Sequence, residues 1–125
     1  MSRFEDLVED ARSRIRETSV EELQRRIEAG ERLYLVDVRE ESEWAQARIP
    51  GANWLGKGIL ERDIERAIPD PAEDIVVYCG GGYRSALAAD SLQRMGYTNV
   101  RSLAGGIGAW FRAGLPLDQE PRERP

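Results

Sequence analysis

Apolar positions along the chain change their spacing several times, and each change marks a new element. Phe4, Leu7, Val8, Ala11 and Ile15 recur at helical intervals, which predicts an amphipathic helix over residues 2–16. Its charges run acidic first (Glu5, Asp6, Glu9, Asp10) and basic last (Arg12, Arg14, Arg16), the order that suits a helix dipole, and Ser2 with Glu5 fits a capping box. A second such box, Ser19 with Glu22, opens a helix carrying Val20, Leu23 and Ile27, with Gly30 as its left-handed stop. Leu33 to Val38 is then almost continuously apolar, the pattern of a strand buried on both faces.

The second half of the chain repeats this alternation. Arg39 to Ala47 reads as a short helix with Trp44 turned inward, and Ile49-Pro50-Gly51-Ala52 as a turn into a short strand around Asn53 to Leu55. Leu60, Ile64 and Ala67 mark a helix that Pro69-Asp70-Pro71 stops. Ile75-Val76-Val77-Tyr78 is a buried strand, and Ala88, Leu92 and Met95 place a helix after Ser85 that Gly96 ends. Val100 to Leu103 forms the last strand, and Gly105-Gly106 precedes a short helix with Trp110 and Phe111. Strands alternating with helices predict an α/β fold, a small parallel β-sheet flanked by helices on both faces, plus the N-terminal amphipathic helix. Residues 1–18 are expected as a helical extension, residues 19–118 as the domain, and residues 119–125 as a disordered tail without an apolar anchor.

Length and composition narrow the chemistry. The 125 residues suit one domain with a core of its own. A formal charge of −5 without a basic stripe argues against nucleic acid, and no apolar run resembles a membrane span or a signal peptide. The single cysteine cannot form an internal disulfide, which points to a reducing, cytoplasmic setting. Histidine is absent, so any nucleophile must be activated by electrostatics and not by an imidazole base.

That nucleophile is expected to be Cys79. It stands where the strand meets Gly80-Gly81-Gly82-Tyr83-Arg84-Ser85 and the following helix. Consecutive glycines can turn their N–H groups inward as an anion-binding nest, the helix N-terminus adds partial positive charge, and Arg84 adds a permanent cation. Each effect favours thiolate over thiol, so the sequence predicts a Cys79 that is ionised at neutral pH. Three successive glycines cost conformational entropy that an inert buried cysteine would not require.

Four segments in this order carry a resemblance: Asp37-Val38-Arg39, Ile49-Pro50-Gly51-Ala52, the Cys79 loop, and Gly105-Gly106 followed by Trp110. Together they make the chain resemble a single rhodanese domain, the sulfurtransferase module. The resemblance implies that Cys79 accepts a sulfane sulfur and holds it as a persulfide, with the N–H groups of Gly80, Gly81, Gly82, Tyr83 and Arg84 around the outer sulfur. Arg84 would attract an anionic donor such as thiosulfate, and Ser85 would cap the helix. The loop from Cys79 to Arg84 holds six residues; the related cell-cycle phosphatases carry one more, so the shorter loop favours a sulfur atom over a phosphate. One departure is Ala47-Arg48 where many family members read Gly-His, which alters the charge at the mouth of the site. Asp37 and Arg39 suggest a local ion pair near the strand end, Lys57 a solvated lysine, and Trp44, Trp54 and Trp110 core or cover residues.

The implied partners are a small anionic sulfur donor and a thiol or cyanide acceptor, with a protein sulfur acceptor as a further partner. Neither a metal nor an organic cofactor is required. Two rivals stay open: a relay module that passes sulfur between proteins and docks through the first helix, and a thiol-dependent phosphatase or arsenate reductase. The reductase would need to borrow a thiol, because no resolving cysteine is present.

Overall fold

The computed structural model describes residues 2–119. Among these lie five strands and six helices: α1 (Arg3–Arg12), β1 (Arg16–Thr18), α2 (Val20–Glu28), β2 (Tyr34–Asp37), α3 (Glu41–Gln46), β3 (Asn53–Trp54), α4 (Leu60–Ala67), β4 (Ile75–Tyr78), α5 (Tyr83–Arg94), β5 (Val100–Leu103) and α6 (Gly106–Arg112). The expected tail lies outside the described residues except for Gln119.

The strands form one parallel sheet in the order β1-β5-β4-β2-β3. β4 occupies the centre, paired with β2 through Val36↔Val77 and with β5 through Val77↔Ser102. All four of its residues are buried, as expected of a parallel strand covered on both faces. Alternation along β4 divides the core in two. Ile75, Val77 and then Cys79 face Leu60 and Ile64 of α4 and Ala88, Ala89 and Leu92 of α5. Val76 and Tyr78 face Val20 and Leu23 of α2 and Trp110 of α6.

The N-terminal segment departs from the expected long helix. Its capping box forms as read, but α1 ends at Arg12, and Arg16, Glu17 and Thr18 become an edge strand paired with β5. Two of these three residues are exposed and all are polar, so no apolar alternation announced the strand. α1 rests on α5 through buried Val8 and Ala11, and the Arg14 guanidinium clamps the Asp90 carboxylate at 3.0 and 2.8 Å.

That clamp predicts a pH effect. Hydrogen bonding from Arg14 holds the Asp90 carboxyl below its ordinary value, against the opposing effect of burial. A depressed carboxyl stabilises the fold above its unfolded value near 4, and the contribution is lost as pH falls through the lower folded value. Asp90→Asn should lower the melting temperature by a few degrees at neutral pH, with the difference from the unmodified protein shrinking under strong acid. Amide exchange should speed up first in α1; uniform acceleration across the sheet would contradict a local clamp.

Candidate active site

β4 ends at Tyr78, and Cys79 opens the loop that reaches α5 at Tyr83. Because Cys79 continues the strand's alternation, its sulfur lies on the α5 side, beneath the start of that helix. The N–H of Gly82 donates to Sγ at 3.1 Å and that of Ser85 at 3.3 Å. Gly82, the residue before the helix, has φ +96° and offers no side-chain cap. The sulfur fills that role, accepting from the third helical residue as a capping oxygen would. Donors converging from a helix N-terminus stabilise negative charge on the atom they meet.

Ser85 does not cap the helix as the sequence suggested. α5 starts two residues earlier, so the Ser85 side chain lies behind the N-terminus and turns toward the sulfur. Its hydroxyl stands 3.5 Å from Sγ, accepting from the thiol, and 2.8 Å from Ser102 Oγ on β5, with both serines fully buried.

The loop amides can face the sulfur because the neighbouring carbonyls are occupied elsewhere. Ile107 N–H donates to the Cys79 carbonyl at 2.9 Å and Gly108 N–H to the Gly80 carbonyl at 3.0 Å, using donors that the first turn of α6 leaves unpaired. A methyl group at Gly106 would stand 2.3 Å from the Cys79 oxygen and 2.6 Å from the Gly80 oxygen, and its φ is +58°. Glycine is therefore required for the approach.

Arg84, the second residue of α5, turns its guanidinium over Gly80, where an added Cβ would meet it at 3.2 Å. Its NH1 and NH2 groups donate to Glu43 Oε1 and Oε2 of α3 at 2.7 and 3.1 Å. Each partner fixes the charge of the other: Glu43 holds the Arg84 guanidinium above its ordinary range, and Arg84 holds the Glu43 carboxyl below its own. Tyr83 sends its ring away from the sulfur to α1, 6.0 Å from the Phe4 ring and 5.1 Å beneath the Arg12 guanidinium. Gly81 has open space around the position of a side chain.

The suggested Asp37–Arg39 pair forms at the end of the adjacent strand, buried, with the guanidinium donating to both carboxylate oxygens and to the Ala47 carbonyl at 2.6 Å. Burial works against the Arg39 charge, and Asp37 together with Tyr78 and Glu43 still holds the guanidinium above its ordinary range. Through the Ala47 carbonyl the pair ties β2 to the end of α3, the helix that carries Glu43. Trp44 is only half buried and lies under the Arg48 guanidinium at 4.7 Å, not in the core. Trp54 donates its indole N–H to the Arg39 carbonyl at 2.8 Å.

Glu43, Ser102 and the α6 backbone donors were missed from sequence. Glu43 lies 41 positions from Arg84 and reads locally as a cap partner of Glu40, which it also is. The sequence signal for α6 is Gly105-Gly106, two glycines at positive φ where the helix meets the Cys79 loop.

Known proteins resemble this chain in sequence and fold. The rhodanese-like domain model matches residues 19–113. A sulfurtransferase of Allochromatium vinosum is 38% identical over 103 residues, covering 82% of this chain and 94% of its own. A solved Rhodopseudomonas palustris protein of unknown function, named a possible tyrosine phosphatase, superposes with TM-score 0.83 at 32% identity, over 94% of this chain and 96% of that one. The solution structure of a rhodanese-like domain from Anabaena superposes with TM-score 0.76 at 28% identity, covering 83% and 79% of the two chains. The central-strand cysteine loop, the parallel sheet around it and these relatives agree: this chain belongs to the rhodanese-like domain family.

Proposed function

We propose that the protein is a sulfurtransferase that carries a sulfane sulfur as a persulfide on Cys79. The observation that supports this most is the pair of N–H donors, Gly82 and Ser85, converging on Sγ at the start of α5. In the first half-reaction the Cys79 thiolate attacks the outer sulfur of a donor. The new S–S bond forms as the donor's own bond to that sulfur breaks, and sulfite leaves with the bonding pair when the donor is thiosulfate. The persulfide keeps one negative charge, which the loop donors can hold as they hold the thiolate. In the second half-reaction an acceptor thiolate or cyanide attacks the outer sulfur and Cys79 departs as thiolate. Every step uses groups of the chain and its substrates, with neither metal nor organic cofactor.

Intact-mass measurement after thiosulfate treatment is the test. A gain of one sulfur atom, discharged by cyanide with release of thiocyanate, is expected; an unchanged mass with every sulfane donor would overturn the reading. Arg84→Ala should weaken use of thiosulfate about tenfold more than use of a donor without sulfonate oxygens such as an alkyl persulfide, whose outer sulfur passes to Cys79 as the alkyl thiolate leaves, because a fork of charged donors recognises anionic oxygens. Equal loss with both donors would remove that role from Arg84.

Phosphate hydrolysis is the weaker reading despite the name of the Rhodopseudomonas palustris neighbour. A phosphatase needs an acid to protonate its leaving group. The carboxyl bonded to Arg84 is Glu43, and Arg84 holds it in the ionised form.

A further inference from the structure

We propose that Glu43 selects the sulfur donor by charge, turning the site away from doubly charged thiosulfate and toward singly charged sulfane donors such as alkyl persulfides and thiosulfonates. The inference rests on the sulfur-transfer reading and adds a donor class to it. Arg84 stands over Gly80 of the loop, and the fork it would offer to an incoming anion is taken by both oxygens of Glu43. Glu40, one turn earlier, adds a second negative field at the same guanidinium. Arg39 brings no surplus positive charge, because Asp37 neutralises it within the sheet. A dianion entering this mouth must displace a carboxylate from Arg84 and then share the guanidinium with it.

Position makes Glu43 a competitor and not a permanent block. Arg84 and Glu43 are 34% and 36% exposed, so their pair opens into water at little cost. The carboxylate cannot drift far, because its Oε1 also accepts the Glu40 N–H at 3.1 Å, inside the capping box that starts α3. Every donor therefore meets the same resident charge, and the penalty grows with the charge that the donor brings.

Thiosulfate and methanethiosulfonate form a suitable pair of probes. Both present an outer sulfur on a sulfonyl group, and they differ by a methyl group in place of one charged oxygen. Attack by the Cys79 thiolate gives the same persulfide, with sulfite leaving from the first and methanesulfinate from the second. Glu43→Gln keeps the shape and the oxygen that accepts the Glu40 N–H but removes the charge. It should raise the ratio of kcat/KM for thiosulfate to that for methanethiosulfonate roughly fivefold, through a lower KM for thiosulfate, and the gain should fade at high salt. Glu43→Asp, which retains the charge, should stay near the unmodified ratio. Thermal melts of both variants establish folding. A ratio that does not move in Glu43→Gln, or moves equally in Glu43→Asp, overturns the proposal while sulfur loading itself stands. Absence of loading from either donor in the unmodified protein overturns the sulfur-transfer reading instead.

Discussion

Cys79→Ser is expected to take up no sulfur from thiosulfate or any other sulfane donor, a fall in turnover of at least about 10³-fold. The substitution is conservative in everything except nucleophilicity. A serine oxygen at this position can still accept the N–H groups of Gly82 and Ser85, which reach the sulfur at 3.1 and 3.3 Å, so the start of α5 keeps its cap. What disappears is the polarisable sulfur, the atom that bonds readily to another sulfur. With no histidine in the chain, nothing would deprotonate the hydroxyl in its place. Intact mass and thiocyanate release measure the loss, and a melting curve close to that of the unmodified protein assigns it to chemistry. Persistent loading of Cys79→Ser would mean that the carrier atom lies elsewhere, in a chain that has no other thiol.

The positions that local patterns encode were readable in the sequence; those set by tertiary contact were not. The β4 strand and the α5 face follow from residue type and spacing, and the glycine-rich junction between them places Cys79 at the carboxyl end of the central strand. Side-chain destinations escaped the same reasoning. Tyr83 enters the sequence reading only through its N–H, and nothing local foretells that its ring meets Phe4 of α1. Ser85 looks like a cap until the helix start is known to lie two residues earlier. The Glu43 contact joins α3 to α5 over 41 positions, and no local spacing encodes that.

These contacts explain how a site without histidine manages its charge. The sulfur is served by fixed backbone dipoles and the mouth by a cation that already has a partner. Fixed dipoles stabilise an anion without adding a formal charge that the surroundings must balance. The formal charge of Arg84, by contrast, is shared with α3 and open to solvent. In the proposed reading the two halves of the chemistry rest on different parts of the chain: holding the sulfur on the β4–α5 loop, and choosing its donor on the Arg84–Glu43 pair.

Gly106→Ala should be the most damaging single methyl in the loop's surroundings, costing about 3–5 kcal/mol of stability and sulfur loading along with it. Two effects combine. The residue sits at φ +58°, where a side chain is strained whatever the space around it, and the added Cβ would stand 2.3 Å from the Cys79 oxygen. The Cys79 oxygen cannot give way cheaply, since it belongs to the backbone. Relief requires α6 to retreat, which breaks the bonds from Ile107 and Gly108 to the Cys79 and Gly80 carbonyls and frees the loop to turn its amides away from the sulfur. Gly81→Ala is the comparison, because a methyl there meets nothing within 4 Å and the backbone is not in the left-handed region. It should stay within about 0.5 kcal/mol of the unmodified protein, or gain slightly from a less flexible unfolded chain. Urea midpoints separate the two variants, and failure of Gly106→Ala to accumulate as soluble protein while Gly81→Ala does so carries the same meaning. Matching midpoints and matching sulfur uptake would show that the orientation of the loop amides does not depend on α6 holding their carbonyls.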